Sequence, residues 1–225
     1  MSQEIKLSLY ITFLALYFIM SIIHLAFCYF EKKLARQITK PFIYTFLALA
    51  LYFYVGDYPL IYIACILSVL GDIFMIFRRK TPCFIIAGLC FISEHVLNMI
   101  SQASILSYQI PWWAYLICYL SPFIIGLIAY LIKHKNPIIF LAAFFMSFHL
   151  LNIAFSFMLI GDRQFLYGTL IYIGYLVYLL SDYLIYHFVF VKRNQKDHFY
   201  VMLTYIIGQT LILLTLTYAS INLLR

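Results

Sequence analysis

Charge is what this chain lacks. Asp, Glu, Lys and Arg fill 10% of its 225 positions, where soluble domains carry about 25%, so a water-facing globular surface cannot be built. Glycine and proline are also sparse, at 8 and 6 residues, which leaves few points where a helix must break. The five cysteines (Cys28, Cys65, Cys83, Cys90, Cys118) include no CxxC pair and no framework spacing. A disulfide scaffold is therefore excluded, and they read as small packing residues. No HExxH and no Cys/His ligand spacing is present, so no metal and no cofactor is expected.

What is there is apolar: 66% hydrophobic residues, 20% aromatic, with a mean hydropathy of +0.99. The expectation is an all-α, polytopic integral membrane protein with the bilayer as its first partner. Each crossing takes roughly 20 apolar residues, so residues 1–225 form one transmembrane domain with no room for a soluble one. The net charge of +7 does not indicate nucleic acid, because the fifteen Lys and Arg stand in short clusters between apolar runs and not along one face.

Eight apolar runs separate, at about 7–30, 41–56, 59–77, 83–106, 112–132, 137–160, 166–191 and 199–221, which predicts eight transmembrane helices. The first is too long for a signal-peptide core and ends in Glu31-Lys32-Lys33, so it stays as a helix. Lys40-Pro41, Tyr58-Pro59, Thr81-Pro82 and Asn136-Pro137 stand at or near predicted helix starts, where the missing proline N–H costs nothing. Trp112-Trp113 marks an interface, and most of the 21 Tyr and 22 Phe serve lipid-facing packing and the interfacial belts.

Charge in the linkers predicts orientation. Lys32, Lys33, Arg36 and Lys40, then Arg78, Arg79 and Lys80, then Lys133 and Lys135, then Lys192, Arg193 and Lys196 all fall on one side. Lys6, Arg163 and Arg225 fall on the other. The positive-inside rule makes the first side cytoplasmic and places both termini on the non-cytoplasmic side. A parallel 4+4 repeat is a further expectation: Lys40-Pro41, Val55-Gly56-Asp57 and Leu70-Gly71-Asp72 are echoed by Asn136-Pro137, Ile160-Gly161-Asp162 and Leu180-Ser181-Asp182. In such a repeat Asp72 and Asp182 face each other across an axis along the membrane normal.

Those two aspartates are the sharpest functional signal, because a charge at the centre of a membrane helix costs about 2.5–3.5 kcal/mol on the insertion scale. Glu94 carries the same penalty. Other polar residues share their depth: His95 and Asn98, His149 and Asn152, Tyr205 and Gln209, with His24 and Tyr17 as further candidates. His95 and Asn98 are three residues apart, Tyr205 and Gln209 four apart, and Tyr178, Asp182 and Tyr186 successively four apart, so each set shares a helical face. Asn, Gln, Tyr and His149 are read first as interhelical glue.

Taken in order, the residues resemble the YhhN-like family of membrane lysoplasmalogenases. The resemblance rests on Lys40-Pro41, Ser68-Val69-Leu70-Gly71-Asp72, Gly88 with Phe91 and Ser93-Glu94-His95, Gly168, Ser181-Asp182, and Tyr205 with Gly208-Gln209. Asn98, where the family often has an aromatic, and Glu94, an additional acid, depart from its pattern. The resemblance implies an eight-helix hydrolase that splits the vinyl ether bond of a lysophospholipid into a fatty aldehyde and a glycerophospho-base. A vinyl ether is cleaved by protonating its β-carbon and trapping the oxocarbenium ion with water, and a carboxylic acid with a carboxylate serves the related glycosidase step. Asp72 and Asp182 would be that pair, in either assignment. His95 would bond one of them or the hemiacetal oxygen, with Asn98 on the same face. Lys40 would hold the head-group phosphate, and Tyr205 and Gln209 would orient the glycerol.

Midplane acids also suit a small-solute or proton-coupled transporter. An intramembrane aspartyl protease needs GxGD and PAL motifs, and neither is present. A noncatalytic lipid-binding protein is the remaining alternative.

Overall fold

The structure is a computed structural model that describes residues 2–55, 58–77, 80–132, 137–162, 164–190 and 196–223. Among them the chain forms eight helices and no strand: α1 (Gln3–Tyr29), α2 (Lys33–Val55), α3 (Pro59–Ile76), α4 (Thr81–Ile105), α5 (Trp112–Ile132), α6 (Pro137–Gly161), α7 (Phe165–Phe190) and α8 (Asp197–Leu223). Of the residues used to predict orientation and repeat, Gly56, Asp57, Arg78, Arg79, Lys133, Lys135, Asn136, Arg163, Lys192, Arg193 and Arg225 lie outside the described residues, as do the side chains of Cys118 and Tyr186.

Prolines open α3, α4 and α6 as expected. Pro41 does not open α2. That helix starts at Lys33, and Pro41 lies inside it. The cause is the turn before it. Glu31 adopts a left-handed φ of 55°, Lys32 N–H bonds Phe27 O at 2.9 Å and Glu31 N–H bonds Cys28 O at 3.3 Å, which is the Schellman closure of a helix end. The chain reverses at once, and the polar stretch 33–40 becomes the first two turns of α2. Lys40 is thus an interior helical residue, with Arg36 one turn before it on the same face.

Among the described residues, six helices are long and apolar enough to cross a membrane: α1, α3, α4, the Phe144–Gly161 part of α6, the Phe165–Ile185 part of α7, and α8. The chain is accordingly a multi-pass membrane protein. Eight such helices are predicted from the sequence; α2 is not among the six, and α5 offers a shorter apolar stretch, Leu120–Ile132. Ile11 and Ile22 of α1, Leu89 of α4 and Phe123 of α5 turn outward, an apolar coat that a water-soluble monomer does not carry.

Helix α8 is the centre. It packs against α7 and also touches α1, α2, α3 and α4, while α4 touches α6. The closeness of α7 and α8 depends on glycine: a Cβ at Gly208 would stand 2.8 Å from Tyr178 N and 2.9 Å from Gly174 O. These are backbone atoms that no rotamer change can move aside. Gly208→Ala is expected to lower stability by about 1–3 kcal/mol through overpacking, read as a lower midpoint of thermal unfolding in detergent; an unchanged midpoint would mean that the two helices are not in close contact.

Candidate functional site

Both aspartates point into the bundle, and each is bound to a base on the preceding helix. Asp72 of α3 is 1% exposed, and its Oδ1 lies 2.8 Å from Lys40 Nζ of α2. Tyr205 of α8 donates its hydroxyl to Asp72 Oδ2 at 3.5 Å, and the Lys40 ammonium sits 5.8 Å from the centre of the Tyr205 ring. Asp182 of α7 is held by His149 Nε2 of α6 at 2.6 Å. No hydrogen bond joins the two aspartates among the described residues; each stands in its own acid–base pair.

Glu94 and Tyr178 stand between them. Glu94 of α4 is fully buried; its Oε1 accepts from Gln209 Nε2 of α8 at 2.5 Å and, at a longer 3.4 Å, from Asn98 Nδ2. The Ser68 hydroxyl of α3 is a further hydrogen-bonding neighbour of the Glu94 carboxyl. Asp72 and Asp182 are both within Coulombic reach of Glu94, and all three carboxyls are within reach of the Tyr178 hydroxyl. The Tyr178 ring meets the His149 ring edge-on at 4.7 Å and the Tyr205 ring at 5.3 Å, so it links the two pairs.

His95 bonds neither aspartate. Its ring packs 4.2 Å from that of His149, and neither of its nitrogens has a partner among the described residues. Gln209 is committed to Glu94, Tyr205 to Asp72, and Asn98 to Glu94. The contact of His95 with an aspartate that the sequence suggests is thus absent among the described residues, and Gln209 and Asn98 turn to Glu94. Sequence reasoning also ranked His149 as glue, although His149 stands 33 residues before Asp182 much as Lys40 stands 32 before Asp72, a spacing that could have identified it.

One polar group in the neighbourhood is structural. Asn152 accepts from Gln102 Nε2 and from the Tyr175 hydroxyl, both at 2.9 Å, and donates to Phe148 O and His95 O. It ties α4, α6 and α7 together with its bonds filled. Around the acids the opposite holds. Both His95 nitrogens, His149 Nδ1, Asn98 Oδ1 and Gln209 Oε1 are buried without protein partners among the described residues. Buried polar atoms are nearly always satisfied, so this cluster draws on water or a polar substrate. Acid, base and unfilled hydrogen-bonding capacity in one lipid-shielded place are the requirements of proton-transfer catalysis. Among the described residues no three His, Cys, Asp or Glu are arranged to hold a metal ion.

A sequence model of the YhhN family matches residues 35–216, a span that contains every group named in this site. No curated protein and no solved structure matches the chain.

Proposed function

The chain belongs to the YhhN family, and from that premise we propose that it is a membrane hydrolase cleaving the vinyl ether bond of lysoplasmalogens to a fatty aldehyde and a glycerophospho-base. The observation that carries the reading is the pair of buried acid–base couples, Lys40–Asp72 and His149–Asp182, with Glu94 and Tyr178 between them. Asp182 is the general acid: its partner is an imidazole, which can pass a proton on. Asp72, whose partner is an ammonium, is the carboxylate.

In this mechanism the π electrons of the vinyl ether take the proton from Asp182 at the β-carbon, leaving an oxocarbenium ion. Water adds to the α-carbon and gives its proton to Asp72. The hemiacetal then loses its hydroxyl proton as the carbon–oxygen bond breaks, and the glycerol oxygen gains one. Glu94, in reach of both aspartates, returns the proton from Asp72 to Asp182 and offsets the positive charge of the cation.

The same reading takes all eight helices as crossings, in two parallel repeats of four, with both termini on the non-cytoplasmic side. The helix neighbours support it: α2 packs on α3 as α6 packs on α7, and α3 on α4 as α7 on α8, and the α2–α3 ion pair has its counterpart between α6 and α7.

The test is turnover by the purified protein in detergent. Fatty aldehyde release from a 1-alkenyl lysophospholipid, without any ion gradient, is the expected result. Intact substrate after long incubation would remove the enzyme reading and favour the transporter.

A further inference from the structure

A second set of buried, unpartnered polar atoms lies beside the acid site, where α1 meets α2. His24 of α1 is 1% exposed, and its Nδ1 lies 2.7 Å from Thr39 Oγ1 of α2. Thr39 donates its one hydroxyl proton to Ala35 O at 2.8 Å, so toward His24 that hydroxyl accepts and Nδ1 carries the ring proton. The other nitrogen, Nε2, is then a lone pair, buried and without a partner among the described residues.

Arg36 presents the complementary deficit. Its Nη1 is a buried donor without a partner, and no carboxylate stands within ion-pair distance of it among the described residues. The guanidinium is folded inward and hydrogen-bonds the Cys28 thiol, which leaves Nη1 as its unused buried donor. Arg36 and Lys40 lie one turn apart on α2, and both act electrostatically on the His24 ring. Lys40 uses one donor on Asp72 and has others left, and its side chain remains 23% exposed. An open groove of about 530 Å³ lined by Phe27, Glu31, Lys32, Lys33, Leu34 and Ala35 lies at the turn that precedes Arg36 in the chain.

Two cations on one helical turn share a single carboxylate, which leaves positive charge and fork-shaped donors at the mouth of the acid site. A phosphate oxygen fits that deficit. The lone pair at His24 calls for a hydroxyl. We propose that Arg36, Lys40 and His24 form a head-group subsite for a phosphate ester bearing a free hydroxyl near the phosphate. Arg36 Nη1 and Lys40 Nζ take the phosphate oxygens, and His24 Nε2 accepts from the hydroxyl. The ligand class rests on the lysophospholipid reading above: such a lipid has both groups, and a diacyl phospholipid lacks the hydroxyl. The subsite is thus a device for selecting lysolipids.

Non-cleavable alkyl lipids test it independently of turnover. Equilibrium binding in detergent is compared for an alkyl lysophosphatidylcholine, its 2-methoxy analogue and the alkylglycerol without phosphate. The wild-type protein is expected to bind the first about tenfold or more tighter than either of the others, the strength of one charge-assisted or one buried hydrogen bond. Arg36→Gln is expected to lose about tenfold for the two phosphorylated lipids and nothing for the alkylglycerol, which also reports that the variant is folded; Arg36→Lys recovers part of the loss. His24→Phe is expected to abolish the preference for the free hydroxyl while keeping that for phosphate. Equal wild-type affinity for all three lipids, or an Arg36→Gln loss that is the same for all three, overturns the subsite. So does inorganic phosphate that displaces the lipid at equal concentration, which would make this a soluble-anion site. Phosphate- and hydroxyl-dependent binding in a protein that releases no aldehyde keeps the subsite and removes the hydrolase; aldehyde release without that dependence does the reverse.

Discussion

Asp182→Asn is expected to lower fatty aldehyde release by about 10²–10⁴-fold, the range that a positioned acid or base contributes, with the protein still monodisperse in detergent. Asparagine keeps the shape and the hydrogen bond to His149 but has no carboxyl proton to deliver. Asp72→Asn should fall in the same range for the other reason, since the amide cannot accept a proton from the attacking water. The two losses should not add: once protonation of the β-carbon is gone, a base for the later water step has little left to accelerate. The double variant is therefore expected near the rate of the worse single one. Retention of most of the wild-type rate in both single variants, in folded protein, would sink the mechanism; loss in only one would reduce the pair to a single catalytic acid.

The second large effect is on stability. Lys40→Met leaves Asp72, 1% exposed, as a buried carboxylate without its counter-ion, and breaking one side of a buried pair costs about 3–5 kcal/mol. Because Lys40 is itself 23% exposed, some water reaches the pair and the lower end of that range is expected. Removing both members is a different operation. Lys40→Met combined with Asp72→Asn exchanges an ion pair for a neutral couple, which is often close to neutral in stability. The expected pattern in thermal unfolding is thus one strongly destabilised single variant and a double variant that regains most of the loss. Simple additivity of the two single effects would mean that the 2.8 Å contact contributes nothing. Activity stays low in the double variant whatever its stability, which separates the structural from the chemical role of Asp72.

The site was legible to unequal degrees. Asp72, Asp182 and Glu94 stood out because an acid in an apolar run is costly wherever it points. Gln209 and Asn98 were found by their spacing from other polar residues, but which acid they serve was not, since both turn to Glu94. His149 was ranked as glue because a lone histidine in a span carries no signature of its own; its importance comes from Asp182, which is far away in sequence. Lys40 was placed at a helix start by the proline after it. The Schellman turn at Glu31 moved that start eight residues earlier, and this carried Lys40 and Arg36 from a loop into the interior of a helix.

Composition and the apolar periods by themselves determined a multi-pass helical membrane protein and singled out its acids, because hydrocarbon excludes unpaired charge and unpaired backbone whatever the partner helices are. Only the tertiary structure decided which base holds which acid, that Glu94 and Tyr178 join the two pairs, and that His24 faces Arg36 and Lys40. Those pairings depend on helix rotation and on backbone approaches such as Gly174 to Gly208, quantities set by packing among several helices at once and not by any one of them.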